Sequence, residues 1–176
     1  QGRIWVVEMT GYMRDINGSG EEIADGKIVR LEDRDGDGRA DHRVVFAEGL
    51  LNPRALALVY GGLLYTDGSA LKWTSITEDQ RGATTIVDSL YVVGGNIEHQ
   101  PNGLLYHLDN WIYSAKSNVR YQRKNGQWKK EVSSFRGQWG ITMDDYGRLI
   151  YNNNSLPLAG DFTLPDVILQ NPYLPL

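Results

Sequence analysis

Three groups of residues in this chain have types and spacings that could do chemistry. The first is His99, with Glu98 beside it, and Arg136. A neutral imidazole accepts a proton near pH 7, a neighbouring carboxylate tunes it, and a guanidinium is a fixed cation for a carboxylate or a developing oxyanion. Together they suit proton abstraction beside an anionic cofactor; a surface-loop histidine and a solvated arginine are the plainer alternative. The second is the loop Asp33-Arg34-Asp35-Gly36-Asp37-Gly38-Arg39-Ala40-Asp41. Its carboxylates fall at positions one, three, five and nine with glycine at six, the spacing by which EF-hand-like loops converge oxygen ligands on Ca2+. Val44 stands where such loops carry a bidentate glutamate. Asp33, Asp35, Asp37 and Asp41 are therefore expected to hold a structural calcium, against an ion-free Asp/Gly hairpin. The third is Asn152-Asn153-Asn154-Ser155, whose oxygens can bind a ligand or a cation and whose residue types equally suit a turn. His42 and His107 are expected in solvent. Trp73 and Trp128 are expected to pack, and Trp139, three residues beyond Arg136, is placed where it could stack on a ligand.

Composition narrows the partners. Asp+Glu number 22 against 18 Lys+Arg, a net charge of −4, and no basic cluster supplies the footprint of a nucleic-acid binder. No apolar run approaches the ~18 residues of a membrane span. With 0 cysteines there are no disulfides, thiolate metal sites or cysteine nucleophiles. The chain lacks a glycine-rich phosphate loop and a Gly-x-Ser-x-Gly elbow, which removes support for nucleotide-dependent and serine-hydrolase chemistry.

The elements that must position these groups are short strands. Apolar stretches are brief and rich in β-branched or aromatic residues, such as Ile4-Trp5-Val6-Val7, Leu63-Leu64-Tyr65 and Trp111-Ile112-Tyr113, and turn residues separate them. A strand-turn-strand unit recurs from Asn52, Gln100 and Gly137, each copy placing a small residue before a bulky aliphatic: Ala55-Leu56, Gly103-Leu104 and Gly140-Ile141. The spacing is close to the ~40–50-residue blade of a β-propeller, whose innermost strand is crowded. Gly2-Arg3-Ile4-Trp5 matches the unit's second half. The expected fold is all-β, about three and a half blades of a β-propeller over units of about 1–50, 51–98, 99–135 and 136–176, with the first unit's inner strand before Gln1. The chain is thus expected to be a piece of a longer protein; a small β-sandwich is the alternative. Leu51, His99 and Arg136 each precede the small residue by four positions, so His99 and Arg136 are expected at one mouth of the channel, facing a common cavity.

Glu98-His99-Gln100-Pro101-Asn102-Gly103-Leu104, followed by Leu108-Asp109-Asn110-Trp111-Ile112-Tyr113, resembles the histidine segment of soluble quinoprotein glucose dehydrogenases and of the glucose/sorbosone dehydrogenase family. Phe135-Arg136-Gly137-Gln138-Trp139-Gly140-Ile141 resembles the next blade, and Leu51-Asn52-Pro53-Arg54-Ala55-Leu56 the preceding one. The Asp-rich hairpin, Asn154-Ser155-Leu156, Gly160-Asp161-Phe162 and Asn171-Pro172 are similar to the large propeller dehydrogenases often fused to a c-type cytochrome. The resemblance implies a six-bladed propeller that binds pyrroloquinoline quinone (PQQ) and Ca2+ and oxidises sugars, sugar aldehydes or alcohols in the periplasm or outside the cell. Electrons would pass to a cytochrome domain or protein, and the remaining blades would come from the same or another chain. It implies His99 as the base, Glu98 as its support, Arg136 and Asn154 as cofactor contacts, and Ser155 as a calcium ligand. Gly137 and Glu98 depart from the family's asparagine and aspartate. A non-catalytic, calcium-stabilised propeller that binds carbohydrate or protein is the competing reading.

Overall fold

A computed structural model describes residues 2–171 and 173. Gln1 and Pro172, on which parts of the blade boundary and of the resemblance rest, lie outside the described residues. The chain is all-β, with four antiparallel sheets in sequence order. The first contains β1 (Arg3–Glu8), β2 (Gly26–Glu32) and β3 (His42–Leu50). The second contains β4 (Leu56–Val59), β5 (Gly62–Asp67), β6 (Ala70–Thr77) and β7 (Gln80–Asp88). The third contains β8 (Asn102–Tyr106), β9 (Ile112–Ala115), β10 (Ser117–Lys124) and β11 (Gln127–Arg136), and the fourth β12 (Ile141–Met143), β13 (Leu149–Tyr151) and β14 (Ala159–Gly160). Within each sheet every strand pairs with its neighbour in sequence. The chain's contacts gather into two compact units, Gln1–Val93 and Gly94–Leu176, each holding two sheets. The sequence alone presents one continuous array, because no Pro- or Ser-rich linker marks the division at the Gly94-Gly95 pair.

Turn chemistry sets the strand registers. Val59 pairs with Gly62, Thr77 with Gln80 and Lys124 with Gln127. The two residues between each pair have positive φ: Tyr60 and Gly61 at 52° and 69°, Glu78 and Asp79 at 50° and 64°, Asn125 and Gly126 at 51° and 78°. Such two-residue turns match the right-handed twist of the strands they join. The Glu78-Asp79 turn also presents a carboxylate to Arg3 of β1, whose guanidinium donates to both Asp79 oxygens at 2.6 and 2.7 Å.

In unit 1 the core is apolar. Ile28, Leu63 and Tyr65 are fully buried with Ala47 and Leu50, and Trp5, Phe46, Leu56 and Ile76 pack against them. Trp5 and Phe46 meet edge to face at 4.8 Å, a favoured aromatic geometry. Trp73 is buried and donates its indole N–H to the Val59 carbonyl.

In unit 2 the first strands of the two sheets approach closely. Gly103 has φ +59°, and a Cβ built on it would lie 2.7 Å from the Cα of Gly140. Both glycines are the small residues of the repeat, so here the requirement is backbone against backbone. Asn102 fastens the same junction, accepting from Gly140 N–H at 2.8 Å and donating to Gln138 O at 2.7 Å.

Candidate functional site

The loop ahead of β8 carries His99 at the end of a short 3-10 turn, Ile97–His99, which Asn96 caps by accepting from Glu98 N–H. His99 and Glu98 are exposed. The imidazole is nevertheless held: Gln138 Nε2 lies 2.7 Å from His99 Nδ1, and Gln138 itself is buried. The Trp139 ring stands 6.0 Å from the imidazole, centroid to centroid, and its indole N–H donates to Asn154 Oδ1 at 3.3 Å. Of the residues singled out from the sequence, the structure therefore brings His99, Trp139 and Asn154 together.

Gln138 supplies the contact that sequence reasoning passes over, although the repeat contains a signal for it. It stands two residues before Gly140, where the other copies carry Pro53 and Pro101. A polar amide replaces two prolines at that one position.

Arg136 does not join this group. It is 4% exposed, and all five N–H donors of a guanidinium are engaged. Nε donates to Asp161, and Nη1 donates to Ser133 Oγ and the Ser134 carbonyl at 2.9 and 3.0 Å. Nη2 pairs with Asp161 Oδ2 and Asp166 Oδ1 at 2.8 and 3.0 Å. The cavity that Arg136 lines, about 370 Å³, is shared with Phe135, Tyr151, Asp161, Phe162 and Asp166 among others, and His99 is not part of its wall. In place of the expected common cavity, Arg136 stands in an ion cluster with Asp161 and Asp166. Burial alone would lower the Arg136 pKa, but Asp161 and Asp166 hold it above its usual value.

The cluster continues through Arg120, whose Nη2 lies 2.9 Å from Glu131 and whose Nη1 lies 3.3 Å from Asp166 Oδ2. Arg120 Nη1 also donates to the Tyr113 hydroxyl, which in turn donates to Asp109. His107 closes the chain of contacts. It is buried, not solvated as expected, because its Nε2 reaches the Gly147 carbonyl at 2.7 Å and its Nδ1 lies 2.8 Å from Asp109 Oδ1. Burial pushes the Tyr113 hydroxyl well above the usual phenol range. His42 stays half-exposed, 3.4 Å from Glu32.

The three asparagines after β13 divide their work. Asn153 forms the turn, its Oδ1 accepting from Ser155 N–H and Leu156 N–H at 2.9 and 2.8 Å. Asn154 receives the Trp139 indole N–H. Asn152 Oδ1 is buried with no donor, in the wall of a cavity of about 260 Å³ that also includes Trp139, Thr142, Tyr151 and Leu158.

The acidic hairpin lies in unit 1, between β2 and β3. Asp33, Asp35 and Asp37 each offer an oxygen within 4.8 Å of the others. Backbone N–H groups of Gly38 and Gly36 bond Asp33 and hold its carboxyl below the usual carboxylate range. Asp41 turns its carboxylate to the Arg34 N–H at 3.1 Å and is not one of the three clustered aspartates.

These features define a class: an all-β protein of sequential antiparallel sheets, with an exposed, amide-held histidine at the head of one of them. Residues 1–175 match the family described as Domain of unknown function (DUF7133), and the chain belongs to that family. None of the curated proteins compared with it matches.

Proposed function

We propose that the four sheets are consecutive blades of a β-propeller and that His99 is the general base of an extracytoplasmic dehydrogenase acting on a sugar, sugar aldehyde or alcohol, with electrons passing to a c-type cytochrome. The observation that carries this reading is the 2.7 Å contact between Gln138 and His99 Nδ1. With the Gln138 amide turned so that Oε1 accepts from Nδ1–H, the Nε2 lone pair of an exposed imidazole is free to take a hydroxyl proton. Gln138 then fixes both tautomer and ring orientation, with Glu98, next to His99 in sequence, as the proposed support of the base. The nearest-neighbour strand order and the crowded first strands at Gly103 and Gly140 support the propeller.

The residues fit the implied cofactor in part. The Trp139 ring, 40% exposed, with Asn154 on its N–H, suits a planar ligand beside His99; Arg136, with every donor engaged, does not suit a quinone contact. PQQ would supply a two-electron acceptor when bound. Asp33, Asp35 and Asp37 are the residues that would hold Ca2+ in the hairpin. The orphan acceptor of Asn152 beside the Trp139 ring favours a hydroxyl-bearing ligand, and so keeps a second reading in view: a carbohydrate-binding propeller without chemistry.

The test is absorption spectroscopy of the protein reconstituted with PQQ and Ca2+, titrated with a panel of sugars and alcohols. Bleaching of the quinone band by a substrate is expected, with His99→Ala slowing dye reduction by about 10²–10⁴-fold while Ca2+ binding persists. Undiminished turnover in His99→Ala would remove the mechanism. Carbohydrate binding without quinone binding would move the assignment to the second reading.

A further inference from the structure

Asn102 carries one carboxamide, and the chain uses all of it. Nδ2 donates to the Gln100 carbonyl at 3.1 Å and to the Gln138 carbonyl at 2.7 Å, and Oδ1 accepts from Gly140 N–H at 2.8 Å. Both amide hydrogens thus meet carbonyls and the oxygen meets an N–H. The opposite orientation would set Oδ1 against the two carbonyls, so the network itself decides which way the amide faces.

The three backbone groups surround the histidine site. Gln100 follows His99 in the chain, and Gln138 is the residue whose side chain lies 2.7 Å from His99 Nδ1. One side chain therefore ties the backbone just after the imidazole to the backbone that carries the imidazole's partner, 36 residues from Asn102. The Gln138 carbonyl and the Gly140 N–H belong to the peptide groups on either side of Trp139, so the Trp139 backbone is held as well. Other bonds steady both ends of this bridge. Gln100 Nε2 donates to the Gly94 and Gly95 carbonyls at 3.3 and 3.2 Å, and His99 N–H donates to the Asn96 carbonyl at 2.9 Å. The Asn102 carbonyl accepts from the buried Ser114 Oγ at 3.1 Å, and Asn102 pairs in register with the fully buried Ala115.

We propose that Asn102 is the positioning residue of His99: acting through Gln138, it sets which imidazole nitrogen carries the proton and where the ring points. An exposed imidazole left to itself turns about its side-chain bonds and exchanges tautomers with water, and a single bond to Gln138 restrains it only if Gln138 is itself fixed. The Gln138 backbone carbonyl is fixed by Asn102. The catalytic meaning of this role rests on the reading of His99 as a base; the effect on the ring rests on the hydrogen bonds alone.

The experiment uses the full chain labelled with [15N]histidine and reads the protonation of each His99 nitrogen from two-bond 1H–15N spectra, at a pH where the ring is neutral. One dominant tautomer is expected in the wild type, with the proton on Nδ1. Asn102→Leu keeps the bulk without the amide, and Asn102→Ser shortens the side chain. Each should lower the ratio of dominant to minor tautomer about three- to tenfold, the worth of one neutral hydrogen bond; the serine variant decides if the leucine variant fails to fold. Ser114→Ala removes the bond to the Asn102 carbonyl and spares the amide, so it should lower Tm and leave the ratio as in the wild type. A ratio unchanged in the Asn102 variants, whatever their Tm, would overturn the proposal, because Asn102 would then only join strands. The spectra need neither cofactor nor substrate. A wild type whose dominant tautomer carries its proton on Nε2 would remove the base while leaving the role of Asn102 to be decided by the same ratio.

Discussion

Unit 1 and unit 2 hold their interiors together by different means. In unit 1 the buried cluster is aliphatic and aromatic, Ile28, Ala47, Leu50, Leu63 and Tyr65, and the buried Arg30–Glu32 pair on β2 is a short addition to it. In unit 2 a run of buried polar groups, Arg136, Ser133, Asp166 and Arg120, accompanies apolar residues such as Ile112, Tyr121 and Leu149. Two arginines differ as well. Arg136 is buried with all its donors satisfied, and the half-buried Arg54 has Nε and Nη1 without an acceptor.

The contrast can be broken at several points. The largest effect is expected from Arg136→Met, which removes the cation paired with Asp161 and leaves the buried Asp166 with Arg120 alone as its counter-ion, and should cost about 3–5 kcal/mol. Urea denaturation checks this, and a loss below about 1 kcal/mol, the range of a solvated ion pair, would mean that the cluster is not what holds unit 2. Leu63→Ala in unit 1 removes a fully buried side chain and should cost about 2–5 kcal/mol, with little dependence on salt.

The smallest effect is the acid limb of unit 2. Although burial opposes it, the Trp111 N–H, the Tyr113 hydroxyl and His107 hold the Asp109 carboxyl below its ordinary value of 3.8. A depressed carboxylate stabilises the fold above its ordinary pKa, and that contribution disappears as pH falls through the lowered folded value. Stability should therefore decline below pH 3.8, and Asp109→Asn should flatten that part of a Tm-against-pH profile. An unchanged acid limb in the variant would show that other carboxylates set it.

Much of the scaffold was legible in the sequence. Short β-branched and aromatic runs between turn residues point to strands, and the Ala55, Gly103 and Gly140 positions mark where first strands begin. The site was legible in part, because local signals reach only local partners. His99 stands out as a titratable residue ahead of a strand, and Gln138 is detectable as an amide in place of two prolines. The fate of Arg136 was not legible, since its counter-ions lie 25 and 30 residues further along the chain. His107 misleads for the same reason: a histidine next to Leu108-Asp109-Asn110 resembles a solvated turn residue until Gly147, 40 residues away, folds over its Nε2. Charge pairing across sheets depends on tertiary placement, which strand periodicity does not encode.

The strand order also has a kinetic consequence. Among the described residues every hydrogen-bonded strand pair joins neighbours in sequence, from β1 with β2 to β13 with β14, so these ladders close without waiting for a distant segment. Loop closure is inexpensive over such short separations, and chains rich in local pairings fold faster than those built from remote ones. As the polypeptide leaves the ribosome, each sheet can complete before the next has been synthesised, and few unpaired strand edges are left waiting for partners still to be made.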